Sequence, residues 1–195
     1  MKNTANWPRI KEILNENSFY LANLGFYAHS DPDMLEVGNL PPSPTRDAET
    51  RSHFALWTAM KSPLLIGTDL SKLSKHDLNV LKNPFLLAFN QDDTYERPAE
   101  PFKWGTNPDW TFDKERPAEY WAGKSKLGVM VLVLNTDEEW RQKPVFWKEV
   151  PGLKDERNYR VIDVWTGLDV GCQPGGFVAE VGPHDTAVVI VGEEC

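Results

Sequence analysis

The run His29–Asn39 (HSDPDMLEVGN) holds the densest set of groups able to do chemistry in the chain. Asp31 and Asp33 flank Pro32, which fixes its own φ and disfavours the helical region at Asp31. On an extended backbone Asp31 and Asp33 are read as pointing to opposite sides. The pair is expected to split, one carboxylate facing a pocket and the other the scaffold. The run sits where a strand would end and a loop begin, the end at which parallel α/β folds collect ligands. Three chemistries suit it: turn capping, a carboxylate holding a sugar hydroxyl or catalysing, or the Asp-x-Asp of a metal-dependent sugar transferase. Oxygen ligands fit such a metal, but no further ligand stands at a fixed offset, so neither metal nor cofactor is expected. His53 falls in a helical pattern and suits a supporting place better than that of a base. His76 falls in the first turn of a helix and is expected to be exposed. His184 beside Asp185 reads as a turn, because a triad needs a nucleophile.

The elements that must position these residues differ between the two halves. Asn6 can cap a first helix with Pro8 in its opening turn, where a missing N–H costs nothing. Trp7, Ile10, Ile13 and Leu14 then share one face, and Asn17 is a stop. The aromatic segment Phe19–Tyr27 leads into an extended Ala28–Val37, and Pro41, Pro42 and Pro44 mark a loop. A second helix runs from near Asp47 to Met60, stopped by Pro63, before the short apolar run Leu64–Ile66. Ser74 and Asp77 form a capping-box pattern for a third helix. That helix would bury Leu78 and Leu81 and end at Asn83-Pro84. Such alternation suggests βαβ units and a parallel sheet.

Beyond the polar crossing Gln91–Pro98 the grammar is that of an antiparallel sandwich. Its strands are Glu119–Ala122, Leu127–Leu134, Lys143–Val150, Tyr159–Trp165, Phe177–Val181 and Thr186–Val191. The division is therefore residues 1–95 and 96–195. A complete (β/α)8 barrel takes about 250 residues, so the first part is either a small α/β layer or the tail of something larger. Most tryptophans of the second half are expected to pack its core rather than stack on sugars.

The chain has 195 residues and a formal charge of −8. That balance argues against nucleic acid and anionic membrane as partners, since both need a basic face. No apolar run approaches the ~20 residues of a membrane helix. Met1–Trp7 lacks the apolar core of a signal peptide, which leaves a cytosolic chain or one that begins downstream of a leader. Cys172 and Cys195 allow one intrachain pairing: free thiols in a cytosolic protein, a bridge in a secreted one.

The segments DPDMLEVGN (31–39), RSHFALWTAMKSPLLIGTDL (51–70) and LLAFNQ (86–91) resemble the α-galactosidases of glycoside hydrolase family 27, the melibiases. KWGTNPDWTF (103–112), AEYWAG (118–123) and VIDVWTG (161–167) resemble the fungal members. The resemblance implies α/β plus all-β architecture: the last units of a (β/α)8 barrel over residues 1–95, then an antiparallel β-sandwich over 96–195. It implies retaining hydrolysis of terminal α-linked galactose, which uses two carboxylates about 5–5.5 Å apart. Neither catalytic position of the family finds a counterpart here, and Met1–Asn6 contains no acidic residue. The chain is therefore expected to be a C-terminal portion without catalytic residues, inactive alone. By resemblance Asp33 and Met34 line the galactose subsite, Asp33 accepting from a sugar hydroxyl. Asp31 and His29 stand behind them, His29 where many members carry Trp. The resemblance further implies a secreted parent and a Cys172–Cys195 disulfide.

A non-catalytic carbohydrate-binding or interaction module is the alternative. An incomplete barrel would also leave Trp7, Ile10, Phe54 and Trp57 uncovered in residues 1–95, a patch suited to self-association.

Overall fold

The computed structural model describes residues 5–25 and 27–195. The expectations that touch Met1–Thr4 and Phe26 lie outside those residues. Four helices come first: α1 (Trp7–Ser18), α2 (Arg46–Ala59), α3 (Lys75–Leu81) and α4 (Pro84–Asn90). Asn6 accepts from the Arg9 N–H and caps α1, with Pro8 in the first turn. Ser74 and Asp77 cap each other at the start of α3. Asn83-Pro84 does not simply end a helix. The Asn83 side chain accepts from Phe85 and Leu86 N–H and starts α4, with Pro84 at a position that needs no donor. Leu78 is on the solvent side of α3, whereas Val80 and Leu81 are buried.

The extended segments before α2 and α3 meet at a single parallel bridge, Leu35 to Ile66. Leu35 N–H donates to Leu65 O at 2.7 Å and Gly67 N–H to Leu35 O at 2.8 Å. This is all that the described residues contribute of a parallel sheet.

Eight strands follow: β1 (Glu100–Lys103), β2 (Tyr120–Ser125), β3 (Gly128–Leu134), β4 (Arg141–Phe146), β5 (Asn158–Asp163), β6 (Asp169–Pro174), β7 (Gly176–Val181) and β8 (Thr186–Glu194). Six form an antiparallel sheet in the order β1-β2-β3-β8-β5-β6, and β4 pairs with β7 in a second sheet. Strands β1 and β6 escape sequence periodicity because Pro101, Gly171 and Pro174 interrupt it.

The β3 run is apolar at every position because both its faces are covered. Met130, Leu132 and Leu134 pack with the helices, while Val129, Val131 and Val133 pack against β4 and β7. The result is three layers: helices, large sheet, small sheet. Trp7, Ile10, Phe54 and Trp57 belong to the same buried cluster as Trp121, Met130 and Ile190. The patch expected to drive self-association is thus covered within the chain by its own β-sheet.

Hydrogen bonds lock this junction. Ala99 N–H donates to Ala59 O at 2.8 Å, and Lys61 Nζ donates to Asp92 O and Tyr95 O at 2.8 and 2.6 Å. Asn83 donates to Val164 O at 2.8 Å. Gly123 of β2 sits so close to the helices that a Cβ there would lie 2.6 Å from Phe89 Cζ and 2.8 Å from Ala99 Cα. His184 stands in a turn, as the sequence reads, and is buried there. Its Nδ1 lies 2.8 Å from Glu49 of α2, its Nε2 3.0 Å from Glu138, and its ring stacks on Trp7 at 4.8 Å. Burial raises the Glu49 carboxyl, but bonds from His184 and Thr45 outweigh it and hold the group below its ordinary value. Cys172 and Cys195 are joined in a disulfide that ties β6 to the C-terminal end of β8.

Candidate functional site

The Asp31–Asn39 run passes beside α1 and α2. Leu35 and Val37 are fully buried, and Leu35 is the residue in the parallel bridge. Met34 lies between them and the loop, 41% exposed.

Two side chains of α2 hold this run from behind. Trp57 Nε1–H donates to the Asp33 carbonyl at 3.0 Å. Glu36 N–H donates to His53 Nε2 at 2.9 Å. His53 must then carry its proton on Nδ1, which is buried without a partner. Full burial pushes the His53 pKa down to about 3, so the ring is neutral and remains an acceptor across the ordinary pH range. The two rings meet edge to face at 4.3 Å. Spacing of four residues on one helix face makes this pair possible.

The loop itself departs from the expected alternation. Asp33 adopts φ +74°, a left-handed conformation that Asp tolerates better than most residues. Asp31 Oδ1 accepts from Asp33 N–H at 3.0 Å, and Asp33 Oδ1 from Met34 N–H at 2.8 Å. Asp31 and Asp33 line one hollow rather than the opposite sides expected; residues two apart already share a face on an extended backbone, so the expected split had no basis in the alternation. That hollow, of about 230 Å³, is completed by Arg9, Ile13, Glu16 and Asn17 of α1 and by Pro32. Ser30 Oγ donates to Asn17, tying the loop to α1. Met34 does not line this hollow; it projects separately beside Gly67, whose position would bring a Cβ to 3.4 Å from Met34 Cβ.

His29 is exposed, and its Nδ1 lies 3.0 Å from Lys61 O, to which it donates. It fastens the start of the run to the end of α2, a contact that suits support rather than proton transfer. Asn39 donates to Glu36 Oε2 at 2.6 Å and to Gly67 O at 3.3 Å, joining the two extended segments. Sequence reading singled out His53 as a supporting residue but missed Trp57, Glu36 and Lys61. A tryptophan in an apolar helix face looks like any core residue, and nothing local marks its N–H as spoken for.

Among the described residues, no group of three or more His, Cys, Asp or Glu side chains is placed to hold a metal ion. His76 is half-buried, with Nε2 lacking a partner, rather than exposed as its helix position suggests.

Comparison with known proteins places the two parts separately. Residues 4–92 match the family described as Alpha galactosidase A, and residues 115–191 match the Alpha galactosidase C-terminal beta sandwich domain. A probable alpha-galactosidase B from Penicillium simplicissimum is 50% identical over 194 residues, covering 98% of this chain and 44% of that protein. The crystal structure of a putative alpha-galactosidase/melibiase from Bacteroides fragilis superposes with a TM-score of 0.76 at 27% identity, covering 93% of this chain and 38% of that one. A Saccharomyces cerevisiae alpha-galactosidase solved with raffinose shares the fold, with a TM-score of 0.75 at 21% identity over 91% of this chain and 50% of that one. The chain thus spans somewhat less than half the length of the curated relative it matches.

Proposed function

Since the chain belongs to the α-galactosidase family and corresponds to the C-terminal portion of its members, we propose that it supplies part of the sugar subsite of a retaining hydrolase for terminal α-linked galactose. Asp33 accepts from a sugar hydroxyl, and Met34 packs against the ring. Asp31, His29, Trp57 and His53 keep the Asp33–Met34 backbone in place. The observation that carries this reading is the DPDM run just before the Leu35–Ile66 bridge, anchored twice to α2 and turned by a left-handed Asp33. Such a fixed carboxylate holds a hydroxyl without reorganising.

The subsite supplies neither nucleophile nor acid, and binding alone does not accelerate bond cleavage. The chain by itself is therefore inactive, and its division is residues 1–95 and 96–195, which agrees with family matches that stop at 92 and resume at 115. Secretion of the parent is supported by the Cys172–Cys195 bridge, since disulfides persist in oxidising compartments.

The test is an aryl α-galactoside assay of two proteins. The chain alone gives no turnover above background. Fused behind the part of the Penicillium simplicissimum relative that it does not match, it gives turnover that Asp33→Ala lowers more than tenfold. Turnover by the chain alone, or a fusion indifferent to Asp33→Ala, overturns the proposal.

A further inference from the structure

A hollow larger than the one at Asp33 lies elsewhere among the described residues. It measures about 630 Å³ and lies between the Thr94–Pro98 turn, the β1–β2 edge and the Pro151-Gly152 turn. It shares Glu100 and Pro101 with a second hollow of about 190 Å³, lined by Phe19, Trp104 and Trp110 among others. Neither hollow shares a residue with the one at Asp33.

The second hollow carries a run of aromatic rings, Phe19 to Trp104 at 5.4 Å and Trp104 to Trp110 at 5.5 Å. Trp110 is 54% exposed, Phe19 46% and Tyr95 of the first hollow 42%. Trp110 also sits at φ +53°, which costs energy for a bulky residue and persists only where surrounding structure imposes it. Trp104 Nε1 is buried with no acceptor. In the first hollow the side chains of Glu96 and Lys124, of opposite charge, form no hydrogen bond or ion pair with any described residue. Arg97 is already engaged by Ala22 O and Glu100.

From this we propose that the joined hollows are an accessory saccharide site, separate from the subsite at Asp33. The pattern selects the ligand class. Exposed aromatic faces stack on the C–H face of a sugar ring, and an unpaired acceptor beside an unpaired donor serves hydroxyls. An anion would meet Glu96 and Glu100, and a cation would meet Lys124 and Arg97, so a neutral polyhydroxylated ligand fits best. A volume in the usual range for small-ligand sites accommodates a short oligosaccharide. The choice of a galactosyl sugar rests on the function proposed above.

The experiment titrates the full chain with raffinose and, separately, with maltotriose, following backbone amide NMR shifts. Raffinose is expected to shift the amides of Trp104, Trp110 and Gly123 saturably at millimolar concentration. Trp110→Ala and Lys124→Ala each weaken this at least fivefold, Trp110→Phe stays within twofold, and Asp33→Ala leaves it unchanged. Shifts by maltotriose without raffinose would keep the accessory site but remove the galactosyl ligand, and with it support for the functional reading. Saturation by neither sugar overturns the site, as do shifts abolished by Asp33→Ala and insensitive to Trp110→Ala.

Discussion

Acid should loosen the Asp33 loop through His53, a residue that never touches the hollow. The buried ring has its pKa lowered to about 3 by desolvation, whereas an unfolded histidine titrates near ~6.5. The folded value lies below the unfolded one, so the unfolded chain binds the extra proton first. Stability from this group is therefore complete above the unfolded pKa and falls as pH drops from ~6.5 toward the folded value. Between pH 7 and pH 4.5 the loss is roughly 2–3 kcal/mol, at 1.36 kcal/mol per pKa unit. The unfolded pKa sets the size of this loss, because pH 4.5 stays above the folded value. The assay is urea unfolding of the wild type and His53→Gln at both pH values. Glutamine offers Glu36 N–H an acceptor but does not titrate. Carboxylates held below their ordinary values, such as Glu49 and Asp77, contribute equally to both proteins and cancel. The wild type is expected to lose roughly 2–3 kcal/mol more than the variant over this interval. Equal losses would refute a neutral, buried His53 as the anchor of Glu36.

Two further outcomes follow from the geometry. Trp57→Phe keeps the ring but removes the N–H that holds Asp33 O at 3.0 Å; it should cost about 1–2 kcal/mol in urea unfolding and speed amide exchange at Met34 and Leu35, and unchanged exchange would show that the bond does not hold the loop. Replacing Cys172 and Cys195 together by Ser opens a loop with a sequence separation of 23; the chain-entropy treatment puts the loss at roughly 3 kcal/mol, to be matched by reduction of the wild type, and a variant as stable as the oxidised protein would contradict it.

Much of the scaffold was legible because its signals are local. The Asn6 cap, the Ser74–Asp77 capping box and the apolar face from Trp7 to Leu14 each lie within a turn or two of the residues they organise. The core strand Val129–Leu134 was legible as well, since covering both faces leaves a continuous apolar run. The same local grammar misled at Asn83-Pro84, because the residues that end one helix are also those that begin the next. The candidate sugar residues came from a motif, and the structure corrects the expectation that the two aspartates point apart: both line one hollow, as residues two apart on an extended backbone do.

What the sequence determined by itself was the kind of elements, their order, the family and the DPDM run, all carried by short-range pattern and residue type. What only the tertiary structure decided was which distant groups meet. His184 reaches Glu49 across 135 positions, Arg51 reaches Asp185 across 134, and Trp7, Ile10, Phe54 and Trp57 find their cover in the sheet of the same chain. Periodicity records which face of an element is buried, but not against what. That choice is made when the chain folds back and a burial free energy shared by many side chains selects one packing.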